Sequence, residues 1–303
     1  MQNQNRSFDP FRVLSEEERT QHLDAYLRFL SEREGEVDLT GRTMSRREER
    51  MRGLEQDGVV WVGEVDREGF RRSMSRERVD SLDPRTQWML AAAKANEGER
   101  YGVELEIERY LRRAGFPGIR SPQLMIYLLM QEAYHCRILI QVCRTCGVSF
   151  ESRDPGWANR ALMGMIGALP GRLRWIPVLA AECVGTAVFR LLIEHLGLFE
   201  EQPEVRDRLN AFMREIWVDE VLHVAFLRAH LHRAGLAAAR ALVPLIAGAT
   251  LRDVPQLGAL GITPSQILDA LRDGIEIPEE IDWLAAEPSP DPFLLPLAPS
   301  ALD

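Results

Sequence analysis

Two Glu-x-x-His sequences, Glu132-Ala-Tyr-His135 and Glu220-Val-Leu-His223, each interrupt a long apolar run. They constrain the fold of this chain more than any other feature. The first is flanked by Leu124 to Met130 and by Ile138 to Ile140, the second by Ile216 to Val218 and by Val224 to Leu227. Residues at i and i+3 project from one side of a helix, so each pair presents a carboxylate and an imidazole together. Ionisable groups in such surroundings are costly unless paired, protonated or bound to a metal.

The pattern around the pairs is helical. Long helices are expected over residues 84–113, 122–146, 176–196 and 203–233, with Pro122 and Pro203 in first turns and glycines at the stops. Two long hairpins with short turns make antiparallel neighbours, so the fold class expected is all-α, a four-helix bundle with extra N- and C-terminal helices. Ser15 and Glu18 form a capping-box signature for an N-terminal helix ending near Leu30. Residues 31–57, rich in Arg and Glu, are expected at the surface, and residues 59–65 alternate like a short strand. Shorter helices are expected at 236–248 and 264–273, and residues 287–303 carry five prolines and read as an extended tail. The expected organisation is a charged N-terminal region with one helix (1–82), the bundle (83–248), and a C-terminal helix with the Pro-rich tail (249–303).

Composition narrows the function classes. The chain has 303 residues, a formal net charge of −9 and four cysteines. An acidic balance disfavours nucleic acid or a membrane surface as partner, since both call for a basic footprint. Four cysteines are too few for a disulfide scaffold, and the polar start lacks a signal-peptide pattern. No apolar run is expected to reach the roughly 18 residues of a membrane span, so a cytoplasmic protein is expected. Lys94 is the sole lysine, so no phosphate-binding loop ending in Lys-Ser/Thr exists, and no G-x-G-x-x-G occurs. Cys143 and Cys146 have redox spacing but sit at a helix end without a thioredoxin-like strand pattern, which favours a structural role.

A dinuclear site needs one more Glu from each partner helix. Glu182 lies about 18 residues before the turn near residue 200 and Glu220 about 20 after it, level positions in an antiparallel hairpin, whereas Glu194 is out of register. On the first helix, Glu97 and Glu104 share a face, and the same count favours Glu104. Gln131 and Asp219, each just before a pair, are expected to orient the histidine of the opposite pair. Met163, Met165 and the Gly-rich stretch from Gly164 to Gly171 are candidates for a substrate entry.

The order Glu, Glu-x-x-His, Glu, Asp-Glu-x-x-His resembles the ferritin-like di-iron oxygenases. Within them, Gln131 to His135 and Asp219 to His223, with Ala181-Glu182 between, look most like the p-aminobenzoate N-oxygenase family. The resemblance covers about residues 90–235. It implies two iron ions, with manganese as the alternative metal, and O2 as co-substrate. Family spacing selects Glu97 over Glu104, so the ligand set implied is Glu97, Glu132, His135, Glu182, Glu220 and His223. The third histidine of that family is Ile216 here, which leaves N-oxygenation and hydroxylation both open. Leu139 stands where ribonucleotide reductase small subunits carry their radical tyrosine.

The expected function is O2-dependent oxidation of a small-molecule substrate, free or carrier-bound, with electrons from an external electron donor and room for a homodimer. A non-oxygenase iron-binding protein, for storage or peroxide scavenging, is the alternative. A metal-free helical binding protein is the third.

Overall fold

The computed structural model describes residues 6–38, 40–56, 58–63, 65–75, 81–113, 122–153 and 155–286. Its helices are α1 (Glu16–Glu34), α2 (Ser45–Gln56), α3 (Arg67–Met74), α4 (Pro84–Arg113), α5 (Pro122–Thr145), α6 (Trp157–Ala168), α7 (Trp175–Glu194), α8 (Pro203–His230), α9 (Arg233–Asp253), α10 (Pro255–Ala259) and α11 (Pro264–Arg272). Among the described residues the fold is all-α apart from two small antiparallel pairs. These are β1 (Ser7–Phe8) with β4 (Ile275–Glu276), and β2 (Val37–Asp38) with β3 (Thr43–Met44).

The four long helices expected from the sequence are α4, α5, α7 and α8. Helix α4 packs on α5, α5 on α8, and α8 on α7, whereas among the described residues the backbones of α4 and α7 stay apart. The buried Trp88 indole of α4 spans the gap, donating to the Leu192 carbonyl of α7 at 2.9 Å. Every residue of α8 from Ile216 to His230 is buried, so this helix is enclosed on all sides. An enclosed helix is normally apolar all round, yet α8 carries Asp219, Glu220, His223, Arg228 and His230 inside that stretch. Each of those polar groups therefore needs a partner, and the site below follows from this requirement.

The N-terminal region wraps onto this frame. The capping box is present, with Ser15 accepting from the Glu18 amide and the Glu18 carboxylate accepting from the Ser15 amide. Helix α1 buries Leu23, Tyr26 and Leu30 and packs on α8. It ends at Gly35, whose φ of 76° lies in the left-handed region, and a Cβ there would come within 2.3 Å of Ser45 Oγ. Only glycine fits that turn comfortably, and it directs the chain through the β2–β3 hairpin into α2. The expectation that residues 31–57 lie at the surface holds for most of the stretch and fails at Glu34, Met44, Arg47 and Met51, which this path buries.

Residues 59–65 form no strand in their described part. The alternation is real, with Trp61 buried between exposed Val60 and Val62, but it serves to plug an aromatic into the helix ends. The Trp61 amide donates to the Thr145 carbonyl at 2.7 Å, and its ring meets Phe199 edge-on at 5.6 Å. Helix α9 is longer than the segment expected at 236–248 and runs through the boundary placed at 248. Among the described residues a hydrophobic core extends from Phe8 to Leu284 and draws on all three expected segments. Two helices, Trp175–Phe199 and Arg233–Asp253, are long and apolar enough to cross a membrane by length and composition. The first of them carries Glu182 and packs against α8 and α9. The expected helix stop at 115–118, the Ser121 cap and the tail at 287–303 lie outside the described residues.

Candidate metal centre

The two Glu-x-x-His pairs face each other, Glu132 and His135 from α5, Glu220 and His223 from α8. The imidazole rings lie 5.7 Å apart, centroid to centroid. Two groups of four side chains could each hold a metal ion: Glu99, Glu132, His135 and Glu220 in one, and Glu132, Glu182, Glu220 and His223 in the other. Within each group the ligand atoms lie within 4.8 Å of one another. Glu132 and Glu220 belong to both, so the two positions share a pair of carboxylates.

Five of the six residues implied by the sequence are thus brought together: Glu132, His135, Glu182, Glu220 and His223. Glu97 is not among them. Its buried carboxylate pairs with Lys94 at 3.0 Å, one turn back on α4. Glu104, the alternative, is exposed and pairs with Arg100 at 2.6 Å. The α4 carboxylate in the cluster is Glu99, whose Oε2 lies 3.9 Å from His135 Nδ1. The cause is the phase of α4 on α5. Asn96, wholly buried, donates to the Cys136 carbonyl at 2.7 Å, and the residue one turn later then faces His135. An amide side chain directly after the Ala-rich stretch Ala91 to Ala95 was the available signal.

The histidines are oriented from behind. His135 Nε2 donates to Asp219 Oδ2 at 3.1 Å, and His223 Nε2 donates to Gln131 Oε1 at 3.2 Å. Each is the expected crossing from one pair to the other. With Nε2 engaged, each Nδ1 points into the cluster: that of His135 lies 3.4 Å from Glu220 and 3.5 Å from Glu132, and that of His223 lies 3.0 Å from Glu132 and 3.6 Å from Glu182. Both Nδ1 atoms are buried without a hydrogen-bond partner. Two orphaned imidazole nitrogens converging with four carboxylates form a donor set that suits a pair of divalent ions.

The charges conflict without a cation. Burial and the neighbouring Glu132 charge push the Glu99 carboxyl up to about 8. Burial, with Glu182, Glu99 and Glu132 around it, raises Glu220 well above the carboxylate range. Burial opposes a charge on His223, but the Glu132 carboxylate outweighs it and lifts the imidazole to about 10. Divalent ions would relieve these repulsions and replace the protons.

Behind Asp219 lies a layer that sequence reading missed. Arg47 Nη2 meets Asp219 Oδ2 at 2.8 Å and Arg33 Nη1 meets Oδ1 at 2.7 Å. Glu34 and Glu215 pair with the same two arginines and with Arg50, at 2.7 to 3.5 Å. Three guanidiniums thus balance three carboxylates. Burial alone would raise the Asp219 carboxyl, but Arg47, Arg33 and His135 hold it far below the usual range.

Access is one-sided. The histidines and Asp219 are fully buried, whereas Glu99, Glu132 and Glu182 are each about one-fifth exposed. On the α7 side, a Cβ at Gly185 would come within 3.1 Å of Glu220 Oε2. On the α4 side, Gly102, one turn after Glu99, lies under the methyl of Met163 from α6, and Met165 on the same helix is exposed. Two surface cavities, of about 770 Å³ beside Gly35 and Tyr127 and about 640 Å³ beside Asp66 and Arg85, lie elsewhere.

Fold and site together define an all-α protein with a buried carboxylate–histidine cluster able to hold metal ions. No protein-family model, curated protein or solved structure matches the chain.

Proposed function

We propose that the chain is a non-haem di-iron oxygenase built on a ferritin-like four-helix bundle, which uses O2 to oxidise a small organic substrate by N-oxygenation or hydroxylation. The observation that carries this reading is the meeting of two Glu-x-x-His pairs on facing helices, with Glu132 and Glu220 common to both candidate positions. Four carboxylates and two imidazoles suit iron, or manganese, and would neutralise two divalent ions. Iron bound there would supply electrons to O2 and direct oxygen to the substrate.

The protein's own part is placement. Asp219 and Gln131 keep the Nε2 protons of the histidines and leave the Nδ1 lone pairs for ions. Glu132 and Glu220 would serve both ions, and Glu99 and Glu182 would each serve one. The enclosed α8 keeps water from the histidine side, while the loosely closed α4–α7 side admits substrate over Gly102 and Gly185. A free or carrier-bound substrate would enter there, and with no nucleotide or flavin motif the electrons come from an external donor. The acidic chain and its cysteine usage support a cytoplasmic setting without nucleic acid.

The test is anaerobic loading with Fe(II), metal analysis, then exposure to O2 with a substrate panel read by mass spectrometry. Two irons per chain, a transient visible absorption and an oxygenated product are expected. Failure to bind iron would overturn the reading. Iron oxidation over many turnovers without organic product would return the chain to the storage or peroxide-scavenging alternative.

A further inference from the structure

We infer that the two ion positions are unequal, that the one on the His135 side fills first, and that Asp219 is the positioning residue that makes the difference. The inference rests on the metal reading of the cluster and deepens it.

The ligands themselves do not distinguish the positions. Both share Glu132 and Glu220, and each adds one histidine and one end carboxylate, His135 with Glu99 or His223 with Glu182. The difference lies behind the imidazoles. His135 donates its Nε2 proton to a carboxylate, Asp219, whereas His223 donates to a neutral amide, Gln131. A carboxylate partner draws the Nε2 proton away and makes the far nitrogen a stronger donor; an amide does so much less.

The assignment of roles follows from the other contacts. Gln131 Nε2 donates to Asp219 Oδ1 at 2.9 Å, which settles the amide orientation and leaves Oε1 to accept from His223. Asp219 accepts from His135, Gln131, Arg33 and Arg47 and has no freedom to turn. Arg33 and Arg47 are shared with Glu34 and Glu215 and keep Asp219 ionised, so His135 faces a carboxylate acceptor where His223 faces an amide. An unbroken chain therefore runs His135–Asp219–Gln131–His223, with a carboxylate against His135 and an amide against His223.

The test is an anaerobic titration of the full-length, metal-free protein with Mn(II), following free ion by electron paramagnetic resonance. Two binding phases separated by about 10-fold or more are expected, the range over which such outer contacts change metal affinity. Glu99→Ala should abolish the tighter phase. Glu182→Ala should keep the tighter phase and abolish the weaker one. Asp219→Asn should bring the two affinities together, an outcome that a purely structural role, weakening both phases alike, does not produce. Because that variant leaves Arg33 and Arg47 short of charge and can fail to fold, the two end-carboxylate variants decide the order, with circular dichroism confirming that each is folded. Two equal phases in the parent protein, or the reverse pattern of losses, would overturn the inference while leaving the metal reading intact. No Mn(II) bound at all would overturn both.

Discussion

Arg47 on α2 reaches Asp219 on α8 at 2.8 Å, with neither side chain exposed to solvent. This contact carries the N-terminal layer into the candidate metal centre, since the same Oδ2 accepts from His135. A residue from a stretch that reads as surface thereby helps to orient a candidate ligand.

Removing one partner of a buried ion network leaves the others uncompensated, at about 3–5 kcal/mol. Arg47→Met should therefore lower unfolding stability by that amount in urea titrations, although methionine nearly fills the volume. A loss below about 1 kcal/mol would show that the network is solvated or dispensable.

Glu97 and Glu99 make opposite predictions. Glu97→Gln breaks only a pairing with Lys94 and should leave two ions bound per chain. Glu99→Gln should weaken the binding of one ion by 10-fold or more, as about 1.4 kcal/mol or more of lost interaction requires. Equilibrium dialysis with Mn(II) separates them; equal losses would mean that α4 turns in solution.

Stability and metal affinity should respond to pH in linked ways. In the ion-free protein Glu99 titrates near 8 rather than 4.5, and His223 near 10 rather than 6.5. Both folded values lie above the unfolded ones, so the folded state binds more protons and stability falls as pH rises from 6 to 9. A divalent ion must displace those protons, so its affinity rises over the same range and binding releases protons. Melting temperatures with and without Mn(II) should therefore diverge with increasing pH. Parallel curves would contradict the assigned protonation.

Gly185 leaves space that a methyl group would take from the Glu220 carboxylate, at 3.1 Å. Gly185→Ala should cost little in stability, since alanine favours helix by about 1 kcal/mol over glycine. It should nevertheless weaken metal loading several-fold, and Gly185→Val more so. Unchanged loading in both would show that the α7 side does not crowd the site.

What the sequence alone determined is local. Periodicity, caps and i,i+3 spacing depend on neighbours along the chain, so the long helices, both Glu-x-x-His pairs and the oriented roles of Gln131 and Asp219 could be read directly. Glu182 was also legible, because a short turn ties the register of α7 to that of α8. The tertiary structure decided what depends on how separate helices are phased. Glu99 rather than Glu97 enters the cluster because Asn96 locks α4 onto α5 at Cys136, a contact between residues 40 positions apart. Arg47 and Glu34 look like solvated charges in a charged stretch; the α8 carboxylates Glu215 and Asp219 draw Arg47 inside, and Glu34 is held there by Arg33, Arg47 and Arg50. Helix formation is set by each segment's own pattern, whereas rotation about a helix axis and burial of a charge are set by the partner it meets.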